Sequence, residues 1–318
     1  MKSPRVGIIG ARRSRQGLGP FVARFLKASG AEVACFLATS PETLEASREA
    51  LKQALGIEAR GYLDLDAMLG AESLAALAIL SPPETHRQYL EAALEAGLQV
   101  LCEKPFVWGE PDPARKTRQI VSGYEKRGLK LWENCPWPYT LASYARLFPG
   151  VLEAGPGRFE MRLSPVSLGK EMLGDAMPHA ISLLQALAPS ASAAIADLRF
   201  STRRADAAEI TAAFRYRAGG RALDAEIRLV RSKGQPREAG YGVDGHWARR
   251  TVNMEGYTLR FEDGTRSVPL PDPLSLLIGD FVRDLASTDA ADTARNGLII
   301  QRMAFLDQFV RSYEGESH

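Results

Sequence analysis

Short apolar runs alternate with amphipathic stretches through the first 135 residues, and that alternation leaves few folds open. Arg5–Ile9 (RVGII), residues 33–38 (VACFLA), 74–80 (LAALAIL), 98–102 (LQVLC) and 129–132 are continuous apolar runs. Between them Phe21, Val22, Phe25 and Leu26, then Leu44, Leu51 and Leu55, then Tyr89, Leu90, Ala93 and Leu94 recur at helical spacing. A polar helix around residues 120–124 precedes the last run. Ser40-Pro41-Glu42 opens the second helix, because Ser caps and Pro suits a first turn. Strands without polar alternation are buried on both faces, which means a parallel sheet covered by helices on each side. The expected fold class is therefore α/β, a doubly wound parallel sheet. Such sheets bind ligands beyond the carboxyl ends of their strands. The loops that start at Gly10, Ala38, Ser81, Glu103 and Glu133 are the ones that matter.

The second half alternates polar and apolar residues instead. Residues 159–163, 194–200, 209–217, 223–230 and 257–261 read as strands, with turns at Gly219-Gly220 and Asp263-Gly264. That pattern predicts a second α+β domain on a largely antiparallel sheet with one wet or partner-covered face. Helices are expected over 178–187, 274–286 and 291–313. Pro136 and Pro138 break both patterns, so the domains are placed at 1–135 and 136–318.

The chain has 318 residues, long enough for two cores. Forty basic residues against 38 acidic leave no surplus to neutralise phosphates, which argues against nucleic acid. No apolar run is long enough to span a bilayer, and the N-terminus lacks a signal-peptide core. Three cysteines without a CxxC pair fit a reducing compartment, so a cytoplasmic protein without a metal site is expected.

The turn from Gly10 to Gly19 lies between the first strand and a helix, where a dinucleotide pyrophosphate rests on a helix N-terminus. It departs from GxGxxG: Arg12 stands at the second glycine, and the loop is longer before Gly17 and Gly19. About 20 residues further on, a ribose-binding acid is expected. The sequence there is Leu37-Ala38-Thr39-Ser40, with no carboxylate. Thr39, Ser40, Arg12 and Arg13 would suit a 2′-phosphate, which points to NADP with NAD possible. Ser40 reads equally as a helix cap, and the arginines equally as solvated.

Ser81-Pro82-Pro83-Glu84-Thr85-His86 and Glu103-Lys104-Pro105 sit at consecutive strand ends. The block LAILSPPETHRQYLEAALEAGLQVLCEKPF resembles the core of the Gfo/Idh/MocA oxidoreductases, and the order of elements matches across the nucleotide domain. The resemblance implies a Rossmann domain followed by a substrate domain. It implies that Lys104 reaches the nicotinamide and the substrate hydroxyl, and that Ser81, Pro82, Glu103 and Asn134 line the cofactor site. Asp175 and His179 match the family's Asp and His four residues apart at a helix start in the second domain. Pro178 departs from the family, which has Gly there, and no Asp follows three residues after His179. His179 would act as acid/base, Asp175 would orient it, and Lys104 would hold the reacting oxygen in a cleft between domains.

The implied reaction is hydride transfer between a nicotinamide and a secondary alcohol of a sugar, cyclitol or related polyol. Two other readings stay open: redox-assisted glycoside cleavage or elimination with a retained cofactor, and a non-enzymatic sensor. His86, His246 and His318 lack the context of His179; His246 and Trp247 are placed in a Gly-rich loop. Arg203-Arg204 and Arg249-Arg250 read as solvated edges, and residues 132–139 as an aromatic hinge. A homo-oligomer, dimer or tetramer, is expected through the sheet face carrying Thr211, Ala213, Arg215, Asp224, Glu226 and Arg228.

Overall fold

A computed structural model describes residues 3–12, 17–202 and 207–316. The chain forms two compact units: residues 1–134 with 274–299, and residues 135–273 with 300–318.

The first unit is a six-stranded parallel sheet. Its elements run β1 (Arg5–Ile9), α1 (Gly19–Ala28), β2 (Glu32–Leu37), α2 (Pro41–Leu55), β3 (Arg60–Tyr62), α3 (Leu65–Ala71), β4 (Ala76–Ile79), α4 (His86–Glu95), β5 (Gln99–Cys102), α5 (Pro113–Lys126) and β6 (Leu131–Glu133). The strand order β3-β2-β1-β4-β5-β6 reverses between β1 and β4, the switch point where doubly wound sheets bind their ligands. All four residues of β4 and the last four of β1 are buried, as two-sided coverage requires. β3 and α3 were not expected; three residues that include a glycine carry no strand signal. Side-chain caps start the helices where the sequence changes character: Ser40 for α2, Asp64 for α3 and Asp112 for α5.

The second unit holds α6 (Leu141–Leu147), β7 (Arg158–Leu163), α7 (Lys170–Leu187) and β8 to β14: Ala194–Thr202, Glu209–Ala218, Arg221–Val230, Ala239–Val243, His246–Asn253, Thr258–Glu262 and Ser267–Leu270. The eight strands are ordered β14-β13-β12-β11-β7-β10-β9-β8, antiparallel throughout except for the β10–β7 pair. The pairing puts Ile210, Ala212, Phe214 and Tyr216 opposite Leu229, Ile227, Ala225 and Leu223, all buried on one face. Phe309 packs edge-on against Phe214, and Phe305 against Tyr216.

Two expectations are corrected here. The helix expected over 178–187 begins at Lys170, so Pro178 lies inside α7 and cannot donate to the Gly174 carbonyl. His246 and Trp247 open strand β12 rather than a loop. Two glycines hid its neighbour β11: a Cβ on Gly240 or Gly242 would lie 3.0 or 3.1 Å from the Trp247 indole, which crosses the strand there. Arg13, Arg203, Arg204 and His318 lie outside the described residues.

The chain ends with α8 (Pro273–Ala286) and α9 (Thr293–Glu316), which starts in the first unit and finishes in the second. α8 is tied to β6 of the first unit through Asp284. Its carboxylate lies 3.0 Å from Lys130 and 2.8 Å from Arg295, and it accepts from the Trp132 indole at 2.7 Å. Arg295 also stacks over Trp132, 4.0 Å from its ring centre. Burial pushes the Asp284 carboxyl up, but Trp132, Lys130 and Arg295 together hold it below its usual range. Among the described residues, no helix is long and apolar enough to cross a membrane.

Candidate active site

The first unit gathers its chemistry at the carboxyl edge of its sheet, because adjacent parallel strands end together. Leu80 N–H donates to the Ile9 carbonyl, Glu103 N–H to Ile79 and Asn134 N–H to Cys102, each at 2.8 Å. These bonds carry the ladder one step past β4, β5 and β6, so Gly10, Ser81, Glu103, Lys104 and Asn134 follow one another along one edge.

At β1 the packing is backbone against backbone. Gly10 has φ +89°, and a Cβ there would lie 2.7 Å from the Leu80 oxygen and 2.9 Å from the Ser81 nitrogen. A Cβ on Gly19, the first residue of α1, would lie 2.4 Å from the Ala11 carbonyl. Gly10 thus serves the tight turn and Gly19 the close helix approach, two of the three glycine roles in a dinucleotide fold. Arg12 is exposed and Gly17 half-buried. The Leu18 cap position offers no side-chain acceptor to the first turn of α1.

After β2, Ala38 is buried and Thr39 exposed. Ser40 does cap α2: its hydroxyl accepts from Thr43 N–H at 3.2 Å, and its own N–H donates to Thr43 Oγ1 at 2.9 Å. The exposed Glu42 is a carboxylate that the sequence reading left aside. Ser40 and the helix backbone hold it below its usual range, so it is ionised beside Ser40.

Between β4 and β5 stands a residue that sequence reasoning passed over. His86 is fully buried, and its Nε2 and Nδ1 each lie 2.9 Å from a backbone carbonyl, of Ser81 and Pro105. One ring therefore ties the Ser81 turn to the Glu103-Lys104-Pro105 turn. The only signal was its place inside the SPPETH segment. The Ser81 hydroxyl bonds Thr85 at 2.7 Å, Pro82 is exposed and Lys104 is half-buried. Asn134 Nδ2 donates to the Glu103 carboxylate, while its buried Oδ1 has no partner among the described residues. A turn closed tightly by two glycines ahead of a helix start, with an open amide oxygen on the same edge, suits a dinucleotide. Gly10, Gly17, Ser81, Glu103 and Asn134 are the groups that would hold it.

In the second unit α7 is buried along residues 172–185 except at Asp175 and His179, which are half-buried. Their i, i+4 spacing places both on the one open face of the helix. Ser167 Oγ donates to Asp175 at 3.4 Å, and the Cys135 thiol reaches the Pro178 carbonyl at 3.7 Å. Trp132 packs in the first unit on Phe281 and Arg295, and Trp137 in the second on Tyr241 and Arg250. Arg249 is exposed as expected, but Arg250 is not a solvated edge. It is half-buried, with its guanidinium 5.4 Å from the centre of the Trp137 ring.

The family described as an oxidoreductase family with an NAD-binding Rossmann fold, Gfo/Idh/MocA, matches residues 4–134. The match covers about two fifths of the chain, most of the first unit. D-apiose dehydrogenase of Paraburkholderia graminis is 34% identical over 119 residues, 37% of this chain and 29% of that protein. The chain thus aligns with less than a third of that relative's length. Over nearly the whole chain, UDP-N-acetylglucosamine 3-dehydrogenase of Acidithiobacillus ferrooxidans superposes with a TM-score of 0.71 at 21% identity, covering 98% of this chain and 99% of that one. Levoglucosan dehydrogenase in complex with NADH and L-sorbose superposes with a TM-score of 0.71 at 16% identity, covering 99% and 98%. The two structural likenesses establish the fold: a parallel sheet followed by a mostly antiparallel one, as expected.

The His86 environment sets a pH dependence. Burial pushes its imidazole below the usual 6.5, the Pro105 and Ser81 carbonyls and Glu84 push it back up, and Lys104 pushes it down; burial prevails. The unfolded ring therefore takes its proton at higher pH than the folded one. The stability His86 contributes is full above pH 6.5 and is lost as pH falls through the folded value. His86→Ala is expected to cost roughly 3 kcal/mol at pH 8, from lost packing and the one carbonyl to which the neutral ring donates. In urea denaturation the cost should shrink at pH 5. A cost that grows on acidification would mean that the folded ring is the cation.

Proposed function

We propose that this protein is an NAD(P)-dependent dehydrogenase acting on a secondary alcohol of a sugar, cyclitol or related polyol. The observation that carries this is the pairing of Asp175 and His179 on the one open face of α7, in a chain whose residues 4–134 match an NAD-binding oxidoreductase family. The similar proteins named above act on sugars or a nucleotide sugar, which supports that substrate class. When bound, the nicotinamide supplies hydride transfer. His179 takes the hydroxyl proton during oxidation and returns it during reduction. Asp175 favours the protonated imidazole and fixes its orientation. The Lys104 ammonium holds the reacting oxygen as charge develops on it. Glu103, braced by Asn134, keeps the strand end in place for Lys104.

Lys104→Ala and His179→Ala are expected to lower kcat about a hundredfold or more, with dinucleotide affinity largely kept. Steady-state kinetics and fluorescence titration read the two effects separately. Turnover near the wild-type rate in either variant removes that residue from the mechanism.

The cofactor reading is NADP in preference to NAD. Support comes from Ala38, which puts no acid at the end of β2, and from exposed Thr39 and Arg12. Glu42 opposes it, as a carboxylate in the first turn of α2. Titrated at one ionic strength, NADPH should quench more tightly than NADH. Equal affinities, or tighter NADH, would reject the preference.

A second copy of this chain is the partner proposed for the polar face of the second sheet. Thr211 is half-buried there and Arg215, Asp224 and Glu226 are exposed. Arg215–Asp224 and Arg228–Glu209 pair across the strands, each at 2.9 Å, which leaves fewer unpaired charges for two copies to bring together. Light scattering should give a multiple of 34.7 kDa, and a mass of one chain would refute the assembly.

A further inference from the structure

Among the described residues, two arginines in the second unit have no carboxylate within ion-pair distance. Arg250 lies in β12, and continuing the β11–β12 register from Gly240 opposite Arg249 sets Ala239 opposite Arg250. Ala239 in turn pairs Leu163, so this is the buried face of the sheet. Arg237 comes two residues before Ala239 and is half-buried. Its Nε and Nη2 donate to the Gln235 side-chain oxygen, each at 3.2 Å, in the amide orientation that satisfies both groups. That partner is neutral and orients the guanidinium without balancing its charge. Arg250 stacks on Trp137, and its Nε is shut off from solvent with no hydrogen-bond partner. Among the described residues, neither guanidinium forms an ion pair with a carboxylate within 4.0 Å.

The two groups also feel each other. Burial depresses both, and Arg237 depresses Arg250 further; Asp175 acts on Arg237, and Tyr257 and Asp272 on Arg250, only through longer-range attraction. Arginine does not escape such a site by losing its proton. Two partly buried cations that repel each other are costly unless an anion joins them. Each fork presents parallel N–H groups that match carboxylate or phosphate oxygens. The indole beneath Arg250 holds that plane in one orientation. Arg250 stacks on Trp137, two residues after Cys135, whose thiol reaches the carbonyl of Pro178 beside His179, so the place for the anion adjoins the open face of α7.

We infer that the substrate is a sugar or polyol bearing an oxyanion, carboxylate or phosphate, which Arg237 and Arg250 bind beside Asp175 and His179. The inference rests on reading Asp175 and His179 as the acid/base pair. It narrows the substrate class from neutral polyols to acidic ones. It also gives the two arginines a task that stacking of Arg250 on Trp137 and the Arg237–Gln235 contact do not, since those leave the Arg250 Nε and both charges unanswered.

The test is calorimetric binding to the full chain, with and without saturating NADPH. The probes are D-glucuronate, D-glucose 6-phosphate and UDP-glucose, against neutral D-glucose and myo-inositol. At least one anionic probe should bind tenfold or more tightly than D-glucose, with the advantage shrinking as salt rises. The uronate and phosphate arms tell the two oxyanions apart. Arg237→Gln and Arg250→Gln should each remove about tenfold of that advantage while leaving NADPH affinity unchanged. Arg237 lies outside the strands, so its variant decides the matter if the Arg250 variant does not fold. Neutral probes that bind as tightly as the anionic ones, an absence of binding by every anionic probe, variants that keep the advantage, or variants that instead lose NADPH would each overturn the inference. Failure of the dehydrogenase reading is separate: NADPH would not bind at all, and the probe series without it would still be read.

Discussion

The first unit turns on a contact with no side chains in it. At the end of β1 the backbone of Gly10 lies against that of Leu80 and Ser81, and the backbone of Gly19 against Ala11. Neither position has room for a methyl group, and at Gly10 the left-handed φ would strain any other residue as well. This closeness brings the start of α1 down onto the sheet edge beside the β4 turn. The ladder bonds past β4, β5 and β6 then set Ser81, Glu103 and Asn134 in sequence along that edge, and His86 joins two of the turns. The polar groups of the edge thus inherit their places from a steric fit at two glycines.

The second unit solves a different problem. Its sheet needs one buried face, and strict alternation in β9 and β10 supplies it. α7 lies among buried residues with only Asp175 and His179 held partly open in its middle. Two polar residues one turn apart in an otherwise buried stretch cost stability unless they meet something polar. Ser167 meets Asp175 at 3.4 Å, and the half-open place of the pair is what the proposed acid/base role requires.

The sequence made the central strands legible because continuous apolar runs of four or five residues have few other uses. It hid β3, which is three residues long, and β11, whose alternate glycines make room for Trp247 and so erase the apolar signal. β12 read as surface because of Arg249-Arg250, yet the two arginines point to opposite faces and only one is exposed. The start of α7 was missed because Gly174 and Pro178 interrupt the helical pattern, although Met172, Leu173, Ala176 and Met177 keep the spacing of a buried face. The candidate site divides the same way. Gly10, Lys104, Asp175 and His179 stand in recognisable motifs, whereas His86, Arg237 and Arg250 acquire meaning only from what lies around them in space.

The reciprocal cap at Ser40 and Thr43 bears on how cofactor choice could change in this chain. The loop after β2 is where a 2′-phosphate would be met, and in it the Ser40 hydroxyl is already committed to the first turn of α2. Replacing Ser40 by a residue chosen for its charge would uncap a fifteen-residue helix, at about 1 kcal/mol. Arg12 carries no such duty to a helix start, and Thr39 only a slight one, its hydroxyl lying 3.4 Å from that of Thr43. Drift between the two dinucleotides therefore has a cheap route through positions 12 and 39 and an expensive one through position 40, so selectivity can evolve here without first compromising the sheet it serves.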